Sequence, residues 1–312
     1  MAEANYLSEG CSIDWTPTAA VTAGEVVQIT DGRAAFAPTA IAAGVKGAVR
    51  VSGIADLAKT ASMVIVKGSR LYWDASASKV HLLQVSSTDF FVGVAQEDAV
   101  AAATTVEVAL NVDAAYKLSL GDGFSSLPIS TAGWPHIVGH REGVSFIFDA
   151  TAEAQKLDAL SQRSVAVGTP GVVEALVSIN VNGDDAAFDL NIGLANATHA
   201  TDADTITESL FLHVDGASLN LNLESDDGST EVASTDSTVD GVLLTPILVQ
   251  WDLRSWADPQ VYINGVNVLP SSVFDISAAT GPMKLLAHME KSSNDSPGNV
   301  TVHSLGFRSF DV

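Results

Sequence analysis

The sequence predicts an all-β protein, with a small N-terminal β-barrel or sandwich domain followed by a larger antiparallel jelly-roll β-sandwich. Short runs rich in Val, Ile and aromatic residues recur along the whole chain between turn-forming residues, and such runs are typical of β-strands. Of the 312 residues, 47% are hydrophobic and 17% are charged. A chain of this length and composition can bury a large core, which excludes a disordered protein.

Charge divides the chain into two parts. Residues 1–112 hold 7 basic and 11 acidic residues, net −4, whereas residues 113–312 hold 8 basic and 26 acidic residues, net −18. The join is rich in small and turn-forming residues, the composition expected of a linker. We therefore predict a first domain at residues 1–112, a linker at 113–120 and an acidic second domain at 121–312.

The first domain is predicted to consist of short strands. Residues 105–110 alternate, so that Val106, Val108 and Leu110 share one face and can pack inward. Residues 98–103 indicate one helical turn. The predicted strands cover residues 25–30, 47–54, 63–66, 71–73, 80–83, 90–95 and 105–110.

The second domain is predicted to have longer strands. Alternate positions from 173 to 181 are all apolar, which indicates a strand with one buried face. Hairpin turns are expected at Asp215-Gly216 and at Asn264-Gly265, where glycine supplies a positive φ. A helix is predicted at residues 152–160. Further predicted strands cover residues 187–194, 210–214, 218–223, 243–252, 261–263, 266–269, 283–289 and 300–310.

Composition excludes several function classes. A net charge of −22 disfavours direct nucleic-acid binding, because nucleic-acid affinity depends on basic residues that neutralise phosphates. No stretch of about 18 consecutive apolar residues occurs, so no membrane span is expected. The N-terminal residues show no basic region followed by an apolar stretch, so no secretory leader is expected. A single cysteine, Cys11, cannot form an intramolecular disulfide.

We predict no catalytic residues, no cofactor-binding residues and no metal ligands. His136 and His140 have the spacing of a helical metal site, but Pro135 and Gly139 argue against a helix there. Acidic loops at residues 182–185, 202–204 and 226–228 are expected to be solvated surface. Weak calcium binding by carboxylates from separate loops is the alternative.

The segment from Glu224 to Ser229 is the closest approach to a catalytic motif. Its sequence, Glu-Ser-Asp-Asp-Gly-Ser, is similar to the Glu-x-Asp-x-x-Glu strand of laminarinase-like sandwich glycosidases. Ser229 stands where the last carboxylate would be, and retaining hydrolysis needs two carboxyl groups. A glycosidase is therefore kept only as a remote alternative.

Glycine and core segments in the first domain follow a recognisable order. The most telling piece is Gly-Ser-Arg-Leu-Tyr-Trp-Asp at residues 68–74, followed by an apolar strand and Gly-Val-Ala at residues 93–95. This order resembles the small capsid cement, or decoration, proteins of tailed bacteriophages. The resemblance implies a structural protein, not an enzyme, on the outer capsid surface of the virion and assembled in the host cytoplasm. Such a protein stabilises contacts between major capsid subunits.

The second domain resembles concanavalin-like or laminin-G-like jelly rolls. The resemblance rests on Trp-Asp-Leu-Arg at residues 251–254, Val-Tyr-Ile-Asn-Gly at 261–265 and the strand at 285–291. Folds of this class often bind glycans. An outer-surface glycan- or host-binding module is therefore the alternative function, and it rests on analogy alone.

The resemblance to cement proteins implies the major capsid protein as partner. We expect a homotrimer, with a dimer as second choice, since symmetric assembly multiplies weak contacts; neither nucleic acid nor membrane is expected as a partner. Residues 1–112 are expected to grip the shell and residues 121–312 to project outward. Tyr6, Ile13 and Trp15 are the candidate capsid contacts, either in an N-terminal arm that orders on docking or in an edge strand of the first domain.

Overall fold

The structure, a computed structural model, describes residues 11–116, 118–119, 124–125, 130–140, 143–183 and 188–310. The chain forms two compact units, Met1–Ala115 and Tyr116–Val312. Antiparallel sheets build both units, which confirms the all-β prediction. In the part of the chain that the structure describes, no helix has the length and hydropathy needed to cross a membrane.

Two small sheets form the first unit. The described strands pair in the orders β1-β4-β3-β2 and β5-β9-β8-β6-β7. Their bounds are β1 Ser12–Trp15, β2 Val26–Gln28, β3 Ala34–Phe36, β4 Gly47–Arg50, β5 Ile54–Ala58, β6 Arg70–Asp74, β7 Lys79–His81, β8 Phe90–Ala95 and β9 Thr105–Leu110. Residues 98–103, predicted as a helical turn, instead contain a β-bridge from Ala99 to Ile65 and a turn.

Asn111 ties the first unit together. Its amide oxygen accepts from the Ala34 N–H at 2.9 Å, and its amide nitrogen donates to the carbonyls of Ala34 at 2.9 Å and Val51 at 2.7 Å. Its backbone N–H donates to the Val92 carbonyl. Asn111 therefore links the end of β9 to both sheets.

Two larger sheets form the second unit. Among the described strands, one sheet has the order β12-β13-β24-β15-β20-β21-β22, with β10 also paired to β24, and the other has the order β11-β14-β23-β16-β17-β18-β19. Strands of the first sheet are β10 Leu118–Ser119, β12 His136–His140, β13 Gly143–Phe148, β15 Gly171–Val181, β20 Ile247–Asp252, β21 Gln260–Ile263, β22 Val266–Val268 and β24 Gly298–Ser309. Strands of the second are β11 Phe124–Ser125, β14 Glu153–Ser161, β16 Phe188–Ala195, β17 Ser209–Asp215, β18 Asn220–Asp226, β19 Glu231–Asp240 and β23 Lys284–Asn294.

The core of the second unit lies between these two sheets. Strand β15 contributes Val173, Ala175, Val177 and Ile179, which are the alternating positions that the sequence indicated. The alternating apolar positions of β16, β17 and β18 belong to the same cluster. The opposite face of the seven-stranded sheet, here called the outer face, therefore carries the residues between them.

The predicted helix at residues 152–160 is wrong. From Glu153 onwards these residues lie in β14, which pairs with β23 from Glu153 to Leu160. The segment is rich in Ala, Glu, Gln, Lys and Leu, which favour helices intrinsically. Leu157 and Ala159 nevertheless enter the core, whereas Lys156 lies on the outer face, so the alternation of a paired strand overrides local propensity.

One of the two predicted hairpin turns has the expected backbone. Asn264 and Gly265 join β21 to β22 with φ values of 50° and 79°. The connection from β17 to β18 is longer than predicted, and Ala217, at φ 60°, rather than Gly216, adopts the positive φ.

The division between the two units falls inside residues 113–120, which the sequence predicts as a linker. Asp113 forms an ion pair with Arg70 at 3.0 Å in the first unit. Tyr116 donates its hydroxyl hydrogen to Glu174 at 2.7 Å in the second unit. Leu118 and Ser119 pair with β24. Each of these residues therefore contacts one of the two units.

Candidate functional site

The outer face of the seven-stranded sheet carries an unusual row of polar side chains. In the strand register, Asn191 on β16 lies opposite His213 on β17 and His288 on β23. Glu224 on β18 lies opposite Phe211. Asn191 and His288 are fully buried, and His213 and Glu224 are 3% and 7% exposed. The row is thus a buried polar layer and not a solvated surface.

A loop that follows β16 covers this layer. Its 3-10 turn, Ala203–Thr205, places Asp204 over the sheet. Ala203 and Ile206 hold the turn down, because they pack against Phe211 and Leu286 in a small apolar cluster on the outer face. The far end of the loop is fixed by Glu208, which accepts hydrogen bonds from Thr280 and Gly281.

We call the residues that meet beneath this loop the His213 cluster. On one side of the imidazole, Nδ1 lies 3.0 Å from Asp204 and 3.7 Å from Glu224. On the other side, Nε2 lies 3.1 Å from Asp215 and 4.0 Å from Asp189. The remaining member is Asn191, whose amide nitrogen contacts Asp204 at 2.8 Å, Glu224 at 2.9 Å and the Nδ1 atom of His213 at 3.1 Å.

The electrostatics of the cluster reflect an excess of carboxylates. Burial raises the pKa of Glu224, and the charge of Asp204 raises it further. Burial also raises the pKa of Asp189. Burial alone lowers the pKa of His213, but its hydrogen bond to Asp204 and the charge of Glu224 outweigh this and raise that pKa to about 10. The hydrogen bond from His213 holds the pKa of Asp204 below its ordinary value although burial opposes it.

A second polar pair lies beside the cluster. His288 Nε2 contacts Glu290 at 2.6 Å on β23. Burial lowers the pKa of His288 to about 4 and raises the pKa of Glu290 to about 8. A neutral imidazole next to a protonated carboxyl group is therefore the expected state near pH 7. Lys156 pairs with Asp158 at 2.7 Å at the end of the same row.

Residues that the sequence singled out separately are brought together here. Glu224 comes from the glycosidase-like segment, Asp204 from an acidic loop, and His213 from a strand where it had no assigned role. Sequence reasoning missed the cluster, although a signal exists: Asp189-x-Asn191, His213-x-Asp215 and Glu224-x-Asp226 each place polar residues two apart in an otherwise apolar strand.

The remaining residues that the sequence analysis considered are placed as follows. Asp227, predicted to lie on a solvated acidic surface, is buried and accepts backbone hydrogen bonds from Ser229 and Thr230. His136 and His140 lie at the two ends of β12. Four residues of extended strand separate them by about 13 Å, too far to share one metal ion within a chain. Residues 184 and 185 of the first acidic loop lie outside the described residues.

The candidate capsid contacts are placed as follows. Ile13 and Trp15 lie in β1, at the end of the four-stranded sheet, where they pair with Val49 and Gly47 of β4. Both side chains are half-buried and pack against the core cluster around Val21 and Ile41. Residues 12–15 therefore form an edge strand of the first unit, one of the two arrangements expected for this segment. Tyr6 lies outside the described residues.

Comparison with known proteins adds an observation on the first unit. Residues 7–110 match the phage cement protein family. The match lies within the first unit and supports the cement domain that the sequence predicted there. No curated protein matches the chain.

Several solved structures are similar to the chain at low identity. The carbohydrate-binding module CBM66 from Bacillus subtilis is 12% identical, with a TM-score of 0.37 over 60% of this chain and 96% of that one. The alginate lyase AlgAT5 of polysaccharide lyase family 7 is 16% identical, with a TM-score of 0.39 over 58% and 84%. The metal-free Emp46p carbohydrate recognition domain is 8% identical, with a TM-score of 0.40 over 60% and 88%.

Proposed function

We propose that this chain is a capsid decoration protein, a structural and non-enzymatic protein that binds the outside of a phage head and stabilises contacts between major capsid subunits. The match of residues 7–110 to the phage cement protein family carries this proposal. Its place in the cell would then be the outer capsid surface of the virion, after assembly in the host cytoplasm.

The distribution of charge supports a division of labour between the two parts of the chain. Residues 1–112 carry net −4 and residues 113–312 carry net −18. Burying a surface against another protein is less costly when fewer charges lose their water, and a strongly charged surface keeps particles apart. We therefore assign shell binding to the first unit and an outward position to the second.

Exposed apolar side chains offer the first unit a contact surface. Ile54 on β5 is 63% exposed, Val45 is 54% exposed and Val100 is 65% exposed. Apolar side chains become favourable contacts when a partner removes them from water. Ile13 and Trp15, already half-buried in the edge strand, add only their remaining exposed area to such a surface.

Symmetric assembly would strengthen these contacts. A trimer, or a dimer as second choice, presents several copies of the same weak contact at once, which raises the effective concentration at the shell. Sedimentation equilibrium of the full-length protein decides between the two.

Glycan binding by the second unit is the competing function, and the tryptophans argue against it. Sugar-binding sites commonly stack sugars on exposed aromatic rings. Trp251 is fully buried and Trp256 is 5% exposed, whereas Trp134 is 76% exposed. In the described part of the second unit, a single exposed tryptophan gives no paired stacking platform.

The test mixes full-length protein with phage shells that lack it, then measures co-sedimentation and the temperature at which the shells rupture. Wild-type protein is expected to sediment with the shells and raise the rupture temperature. The informative variants replace exposed apolar residues of the first unit: Ile54→Asp, Val45→Asp and Val100→Asp. Val242→Asp is the matched control, since Val242 is 61% exposed and lies in the second unit.

At least one variant of the first unit should bind shells more weakly than Val242→Asp does. Absence of binding by the wild-type protein would contradict the decoration role, and a glycan array would then test the competing function. Weakening by Val242→Asp alone would reverse the assignment of the two units.

A further inference from the structure

Three possible ligand atoms surround one amide nitrogen in the His213 cluster. The amide nitrogen of Asn191 has two hydrogens but lies within 3.1 Å of three polar atoms, from Asp204, Glu224 and His213. The imidazole ring supplies at most one further hydrogen on that side. Two carboxyl groups held this close in a buried site need a positive charge beside them. A protonated His213 supplies one charge in the metal-free chain, and a divalent cation bound in place of that proton would supply two.

Asn191 provides a second, independent observation. The residue is fully buried, and among the described residues its amide oxygen has no hydrogen-bond partner. A buried polar atom without a partner is rare and often marks an ion or water site. The oxygen and nitrogen of an asparagine amide are assigned from their surroundings, so rotation of this amide by 180° would turn the oxygen towards a cation bound between Asp204, His213 and Glu224.

We propose that Asp204, His213 and Glu224, together with the amide oxygen of Asn191, form a binding site for a divalent transition-metal ion, with Zn²⁺ as the best match. A cation held there would balance the charge of both carboxyl groups and would give the rotated amide oxygen of Asn191 a partner. The site does not depend on the decoration role, because every proposed ligand belongs to the second unit.

The spacing of the ligand atoms fits this ion. One atom each from Asp204, His213 and Glu224 can be chosen so that all lie within 4.8 Å of one another. Tetrahedral zinc, with bonds of about 2.0 Å, separates its ligand atoms by about 3.3 Å. The distances from His213 Nδ1, 3.0 Å to Asp204 and 3.7 Å to Glu224, bracket that value.

The kind of donor atoms selects the class of metal. Imidazole nitrogen suits Zn²⁺ and its neighbours in the first transition row, whereas Ca²⁺ and Mg²⁺ prefer a shell of oxygens. Here one imidazole nitrogen joins two carboxylates and one amide. Zn²⁺ is therefore expected to bind more tightly than Mn²⁺ or Ca²⁺.

The other side of the imidazole is a weaker candidate. Asp189, His213 and Asp215 also bring their ligand atoms within 4.8 Å. The Asp189 oxygen lies 4.0 Å from the Nε2 atom of His213, farther than either carboxylate oxygen lies from Nδ1. Asn191 and Glu224, in contrast, are both buried on the Nδ1 side.

A matched pair of variants tests the assignment. Asp204 and Asp215 contact opposite nitrogens of the same ring, and both side chains are 41% exposed. The full-length chain, without a histidine tag and stripped with EDTA, is titrated with ZnCl₂, MnCl₂ or CaCl₂ in a calorimeter. Circular dichroism and the Tm of each metal-free variant check that the fold is retained.

Wild-type protein is expected to bind one Zn²⁺ per chain and to gain Tm when loaded. Loss of an outer-shell partner of a metal site weakens binding by about 10–100-fold, so Asp204→Asn should weaken it by at least about 100-fold. His213→Gln should abolish binding, and Asp215→Asn should change it by less than about tenfold. If His213→Gln does not fold, Asp204→Asn still decides, because Asp204 lies on a partly exposed turn.

Three results would overturn the proposal. They are absence of Zn²⁺ binding by the wild-type chain, Zn²⁺ binding that survives in Asp204→Asn, and equal losses in Asp204→Asn and Asp215→Asn. The first would mean that protons shared between carboxyl groups balance the cluster. None of these results would affect shell binding, which is measured separately.

Discussion

Asn111 hydrogen-bonds both the N–H and the carbonyl of Ala34, a residue 77 positions earlier in the chain. Its side-chain amide thus pairs with the backbone of Ala34 in β3 as the backbone of a neighbouring strand would. The same amide reaches Val51, and the residue itself adopts a positive φ of 56°. One side chain therefore joins the end of β9 to β3 and to Val51, the residue after β4.

Replacement of Asn111 by alanine should destabilise the first unit by about 4 kcal/mol: each of the three lost hydrogen bonds contributes about 1 kcal/mol, and alanine at this positive φ adds about 1 kcal/mol of strain. Asn111→Gly should lose about 1 kcal/mol less, because glycine adopts positive φ without strain. Hydrogen–deuterium exchange in the full-length protein is the measurement. Faster exchange should be confined to residues 1–115, and unchanged exchange at β3 would contradict the role of Asn111.

Acid should destabilise the second unit through Glu153 and Asp149. The hydrogen bond from the Thr131 hydroxyl, with others from the Thr131 and Ala132 N–H groups, holds the pKa of Glu153 far below its usual range. The hydrogen bond from the Trp134 N–H lowers the pKa of Asp149 to about 2. Because the folded pKa values are depressed, this stabilisation is complete above the unfolded values near about 4. It is lost as the pH falls from about 4 towards 2.

Urea unfolding at a series of pH values tests this behaviour. Glu153→Gln should be less stable than wild type at pH 7 and should show a shallower loss of stability between about pH 4 and 2. Glu231→Gln, at an exposed position of β19, is the control and should follow the wild-type curve. If the free energy of unfolding falls equally steeply with acid in wild type and Glu153→Gln, another group causes the loss of stability.

A close backbone approach at Gly193 should make that position intolerant of any side chain. A Cβ atom there would lie 2.0 Å from the Leu210 carbonyl oxygen. Overpacking of this kind costs at least about 1–3 kcal/mol, so Gly193→Ala should lower the free energy of unfolding by that amount or more. Gly139→Ala is the control, since a Cβ there meets no atom within 4 Å and should change stability by less than about 0.5 kcal/mol. Equal stability of the two variants in urea would refute the close approach.

Polysaccharide hydrolysis is not expected. Ser229 replaces the last carboxylate of the glycosidase-like segment, and Asn191 ties Glu224 to Asp204 through one amide nitrogen. Release of reducing ends from β-glucans and from host surface polysaccharide should be equally absent with wild-type protein and Glu224→Gln. Turnover by the wild type that disappears in Glu224→Gln would establish an enzyme and contradict the purely structural role.

Local patterns in the sequence predicted the strands better than the site. The alternation from 173 to 181 identifies β15, and Asn264-Gly265 identifies a hairpin, because both signals lie within a few residues. Residues 152–160 misled the prediction because a strand partner more than a hundred residues away decides their structure. The His213 cluster depends on strand register and on a loop held by Phe211, and neither is visible in any short segment.

Strand β19 stands last in the order of the seven-stranded sheet. Its ten residues include Glu231, Asp236 and Asp240 among serines and threonines, and most of them are exposed. Exposed sheet edges readily pair with other chains, and charged side chains along an edge prevent this pairing. Concentrated solutions of the protein should consequently resist fibril formation at neutral pH, and neutralising these three carboxylates would be the shortest route to an aggregating variant.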